Sequence, residues 1–156
     1  MTDSFNEEWL LSFLQKHHLS NRVSVSPDTN RVVEDLYDHY DQGQIHEVDS
    51  GEEVLTWIIP QQWTVNEAWV ETMDGNRIID YENHPLHLRS YSSSFEGTIS
   101  REKLREKTMT LPNKKELIPY HYGWQFDHSV SAKWGFCASH ETMKQLEEDR
   151  YRVKIH

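Results

Sequence analysis

The hydrophobic pattern of this chain changes character once, at Gly43. Before it, apolar positions recur at helical spacing. Ser4 and Glu7 have the spacing of a capping box, and Trp9, Leu10, Phe13 and Leu14 then fall on one face. This predicts a first helix ending between His18 and Asn21. A second helix is expected after "SPDTN", with Asp28 or Thr29 as its cap and Val33, Leu36, Tyr37 and Tyr40 aligned at three- and four-residue steps. Gly43 stops it.

From Gln44 the period shortens. "IHEVDSGEEVLTWIIP" and "NEAWVETMDGNRIIDYENHPLHLRSYS" read as short strands broken by the turn signals "DSG", "DGN" and "NHP". Asp74-Gly75-Asn76 is the clearest hairpin, because glycine accepts the positive φ of a tight turn. Alternation at Val54, Thr56 and Ile58, and at Trp69, Glu71 and Met73, predicts half-buried antiparallel strands. Trp57, Trp63 and Trp69 are expected in the core. Short helices are expected at "SREKLREKTM" and at "SHETMKQLEED", the latter capped by Ser139 with Met143 and Leu146 inward. "RYRVKIH" alternates basic and apolar side chains, as a strand with one wet face does. The expected fold is therefore α+β: an N-terminal helical segment over 1–43, two helices packed on a mainly antiparallel β-rich domain over 44–156 that also carries short helices.

Composition narrows the function classes. A chain of 156 residues suits one domain with a real core, and 36% hydrophobic with 12% aromatic residues argues against disorder. The net charge of -10 disfavours attraction to nucleic acid or anionic lipid, so neither is expected as a partner. The N-terminus carries acids before a short apolar run, shows no cleavage signal, and no run approaches ~18 apolar residues. A soluble, cytoplasmic protein is expected. The single cysteine excludes an internal disulfide and fits a reducing compartment.

The segment "WGFCASH" places that cysteine, Cys137, three residues before His140. Thiolate and imidazole are good zinc ligands, but a closed site needs about four donors. His121, His128 and His87 are the histidines that could complete one, at spacings that match no metal motif. A nucleophilic thiol would need a base and an exposed, electropositive setting, whereas Cys137 follows Gly135 and Phe136 in an apolar run. The residues favour a buried thiol at a strand end, with His140 opening the next helix. His17 and His18 suit the last turn of a helix, and the acidic pairs Glu52/Glu53 and Glu147/Glu148/Asp149 suit solvated faces. No phosphate-cradling loop, nucleophile elbow or H-E-x-x-H is present.

"IHEVDSGEEVLTWIIPQQW", "NRIIDYENHPLHLRSYS", "TLPNKKELIPYHYGW" and "WGFCASH" occur in an order and spacing that resembles bacterial aminopeptidase-like proteins associated with polysaccharide biosynthesis. The resemblance covers about Ile45 to His156. It implies a small β-rich domain of unknown function, inserted in a zinc-aminopeptidase-like domain whose metal ligands lie beyond this region. It assigns no metal ligand to any position here and no cofactor to this chain, zinc being implied for the full-length family alone. The expected role is an accessory or substrate-shaping domain, non-catalytic by itself. An ending at a strand fits either a piece of a longer protein or a short relative. A partner chain supplying the catalytic half, or a small polar ligand, is expected to meet the aromatic stretch Tyr120, His121, Tyr122, Trp124, Phe126 and His128, which has neither helical nor strand periodicity. The alternative is a free-standing metal- or Cys/His-dependent enzyme with a site around Cys137, His140, His128 and His121.

Overall fold

A computed structural model describes residues 6–40, 43–121 and 133–156. It divides into two compact units, Met1–Gln62 and Trp63–His156.

The first unit holds two helices and a small hairpin. Helix α1, Glu7–His17, is capped by Asn6, whose side chain accepts from Trp9 N. Helix α2 is Pro27–Tyr40. The caps expected at Asp28 or Thr29 fall one turn late: Ser26 Oγ accepts from Thr29 N at 3.1 Å, and Pro27 occupies the first helical position, where its missing N–H costs nothing. The helices meet through aromatic rings, with Trp9 stacked on His39 at 3.6 Å, and through Asp35 Oδ2, which lies 2.6 Å from His17 Nε2 and 2.5 Å from Lys16 Nζ. His17 is buried, so its imidazole ties α1 to α2 rather than only facing the carbonyl end of its own helix.

The strand expected over Val54, Thr56 and Ile58 is instead bent double. Glu53–Val54 (β1) pairs antiparallel with Trp57–Ile58 (β2), and Leu55 at the turn adopts φ 58°. A two-residue return puts side chains outward on both arms. Trp57 is consequently 56% exposed and does not join a core.

The second unit contains a four-stranded sheet in which Arg77–Asp80, Ala68–Glu71, Arg150–Ile155 and Phe95–Ser100 lie side by side in that order. Strands β3, Ala68–Glu71, and β4, Arg77–Asp80, form the hairpin expected at Asp74-Gly75-Asn76, with Gly75 at φ 89° and a bulge between Val70 and Glu71. A 3-10 turn at Pro85–His87 takes the place of the strand expected after "NHP". Then come β5, Phe95–Ser100; α3, Arg101–Lys107; β6, Thr108–Met109; β7, Phe136–Cys137; α4, His140–Lys144; and β8, Arg150–Ile155. Ser100 caps α3 and Ser139 caps α4. All pairings in the large sheet are antiparallel; the short β6/β7 pair is parallel.

One face of the sheet presents Ala68, Val70, Ile79, Tyr151, Val153 and Ile155 to the core, where Leu104, Trp134, Phe136, Met143 and Leu146 close over them. Each of the larger aliphatic and aromatic side chains contributes roughly 1.5–3 kcal/mol on burial. Trp63 packs against this cluster, as expected. Trp69 does not belong to it: the strand's parity turns it to the opposite face, under the Arg77 guanidinium at 3.9 Å. Glu71 shares that face and is only 7% exposed, held by Arg152 at 2.8 Å and Arg77 at 3.3 Å. A carboxylate so nearly desolvated is tolerable because two guanidiniums flank it.

Candidate functional site

The local chemistry of "WGFCASH" is accounted for residue by residue. Trp134 stacks on Phe95 at 4.3 Å and carries Lys107 Nζ over its ring at 4.9 Å. Gly135 lies so close to the Lys107 carbonyl that a Cβ would sit 3.0 Å from that oxygen. Its own N–H donates to Ser92 Oγ and its carbonyl accepts from Arg89 N at 3.0 Å. Phe136, Cys137 and Ala138 are fully buried. Ser139 Oγ accepts from Thr142 N, and His140 begins α4 with Nδ1 3.1 Å from Thr110 Oγ1.

Cys137 therefore sits at a strand end inside the core. Burial pushes its thiol from 9.0 up to about 11, against the smaller opposing pull of the His121 backbone and the Arg89 guanidinium. A thiol in that state is protonated at neutral pH and is neither a ready nucleophile nor a ready metal ligand. His87 Nδ1 lies 2.8 Å from the Cys137 carbonyl oxygen, so the imidazole addresses the strand's backbone and not its sulfur. His121 is half-buried, its carbonyl accepts from Ser90 N, and burial first, then Arg89, holds its imidazole toward the neutral form.

Of the other residues expected at a site, Tyr120 is exposed. Tyr122, Trp124, Phe126 and His128 lie outside the described residues. Among the described residues no group of three His, Cys, Asp or Glu converges in a way that could hold a metal ion.

Two polar groups have surroundings that the sequence did not signal. Arg89 is half-buried, and its Nε has no hydrogen-bond partner among the described residues. Glu148, expected on a solvated face, accepts from Met73 N at 2.9 Å, and its own N–H donates to the Tyr151 hydroxyl, pinning the loop before β8 to the tip of the β3–β4 hairpin. A cleft of about 440 Å³ runs along that junction, between Thr72, Arg77, Gln145 and Glu147. Only the acid-rich composition of "EED" pointed here, and it could not distinguish a tether from a wet surface.

No helix among the described residues is long and apolar enough to cross a membrane. A profile for a domain of unknown function, DUF2172, matches residues 62–156. A curated protein of Clostridium acetobutylicum, named for polysaccharide biosynthesis and for an aminopeptidase-like domain, is 32% identical over 112 residues, which are 72% of this chain and 25% of that protein. The crystal structure of a candidate peptidase from the same organism superposes with a TM-score of 0.83 at 26% identity, over 95% of this chain and 34% of the other. The chain thus spans about a quarter of the curated relative and a third of the solved one.

Proposed function

The chain belongs to the DUF2172 family, and from that premise we propose that it is an accessory, substrate-shaping domain of an aminopeptidase-like hydrolase system, without a catalytic centre of its own. The relative named for an aminopeptidase-like domain extends well beyond the region matched here, which leaves room for the catalytic portion and its zinc in parts of such proteins that this chain does not span. The observation that carries the reading is Cys137: the residue best suited to nucleophilic or metal chemistry is fully buried, and its thiol is raised to about 11. The segment around it is consumed by packing. The partner in this reading is a polypeptide bearing the catalytic portion, or a small polar substrate whose amino group suits a chain of net charge -10. Tyr120 and His121 mark the face that would meet it.

The test is enzymatic. Purified chain is incubated with aminoacyl-nitroanilides in the presence of zinc or cobalt. No turnover above a blank is expected; turnover that survives further purification and is abolished by a chelator overturns the reading.

A further inference from the structure

Where the end of α3 and strand β6 meet α4, a cavity of about 370 Å³ is lined by Arg105, Thr108, Thr110, His140, Met143 and Lys144. Its charge is out of keeping with the chain. The protein carries 26 acidic residues against 16 Lys and Arg, yet no Asp or Glu among the described residues lines this cavity. Arg77, Arg101, Lys103, Arg152 and Lys154 each have an acidic partner within 4.0 Å. Arg105 and Lys144 are both exposed and have no such partner among the described residues.

Two cations with no ion pair within 4.0 Å at one cavity attract an anion there, although Arg105 also acts on the nearby Glu102 carboxylate. The neutral groups suit the same occupant. Thr110 Oγ1 and His140 Nδ1 lie 3.1 Å apart and orient each other, which leaves His140 Nε2 without a partner among the described residues. Thr108 Oγ1 is already committed as a donor to the Leu104 carbonyl, so the available donors are a guanidinium fork, an ammonium and one donor from the hydrogen-bonded Thr110–His140 pair, either the hydroxyl or Nε2–H according to the imidazole tautomer. A planar carboxylate is satisfied by the fork alone, whereas donors of such different shape from separate elements suit the three oxygens of a phosphate monoester. The cavity exceeds what bare phosphate fills and falls at the small end of ligand pockets, with Met143, nearly buried, as its apolar floor.

We propose that this cavity binds the phosphate group of a small phosphomonoester, through Arg105, Lys144 and the one donor that the Thr110–His140 pair leaves free. The proposal does not depend on the accessory role above, because it holds whether or not the chain meets a hydrolase.

The experiment is a proton–nitrogen correlation titration of the full chain with inorganic phosphate and with glycerol 3-phosphate, at constant ionic strength. Saturable shifts confined to the amides of residues 104–110 and 139–145 are expected, with a Kd of roughly 1 mM or tighter for the ester. Arg105→Gln and Lys144→Gln should each weaken binding roughly tenfold. Lys103→Gln removes a cation of α3 that pairs with Glu106, and it should leave binding unchanged. Both cations also sit where they offset the carbonyl ends of short helices, so the thermal stability of each variant is recorded alongside. Linear, non-saturating shifts overturn the proposal, as do shifts spread over the surface, equal weakening by Lys103→Gln, or variants that lose stability while keeping their affinity.

Discussion

Alkaline unfolding offers a direct reading of what Cys137 does. Its thiol rises from 9.0 to about 11 on folding because burial disfavours the thiolate. Between these values the unfolded chain has released the proton and the native chain has kept it. The native state therefore binds more protons, and stability falls as pH rises through the window. For one such group the loss amounts to about 1 kcal/mol by pH 10 and about 2 kcal/mol by pH 11. Tyr151 is likewise raised from its ordinary value of 10.0, chiefly by burial, and destabilises above that pH, which overlaps the upper part of the window, so the wild-type curve alone does not isolate the thiol. The comparison with Cys137→Ala does, because both proteins keep Tyr151. At pH 8 the variant should be less stable by roughly 1–2 kcal/mol, the cost of a small cavity at a fully buried position. Urea unfolding followed by tryptophan fluorescence at several pH values should show that deficit shrinking and then reversing near pH 11. Curves that stay parallel from pH 8 to 11 would refute the reasoning, and a native thiol that reacts with a disulfide reagent as fast as a free thiol would do the same.

Phe136→Ala removes a fully buried ring from the centre of the core and should cost about 3–5 kcal/mol in urea unfolding, a large part of the ~5–15 kcal/mol of a typical domain. In the first unit, the Lys16 ammonium and then His17 hold the Asp35 carboxyl below its ordinary value of 3.8. That contribution is present above pH 3.8 and is lost as the pH falls through the depressed value. Asp35→Asn should therefore lower the melting temperature at pH 7, and the difference from wild type should vanish in acid.

Local signals carried most of what was legible in the sequence. The Ser100 and Ser139 caps, the glycine of the β3–β4 turn and the alternation of β8 each act within a few residues, and each element appears where its signal lies. Strand β5 was missed although Phe95, Gly97 and Ile99 alternate with Glu96, Thr98 and Ser100, because glycine at its centre breaks the apolar count. The pairing of β3 with β8 joins Trp69 to Lys154 across most of the second unit, and nothing local in either strand specifies a partner so far away. Parity misled at Trp69: size suggested the core, while the small neighbours Ala68 and Val70 are what the sheet buries against its helices. At the candidate site, burial of Cys137 was readable from "GFC", since an apolar run around a lone thiol leaves little room for ionisation. The unpaired charges of Arg105 and Lys144 were not, because a basic residue in a helical pattern looks the same whether its partner is an acid, water or a ligand.

The central proposal is that Cys137 and His140 serve the packing of this chain and not a metal or catalytic centre. Elemental analysis of native protein, purified without chelator and compared with Cys137→Ala and His140→Ala, tests it most directly. The account predicts zinc far below one ion per chain in all three proteins. Stoichiometric zinc in the native chain, lost in both variants, would contradict it.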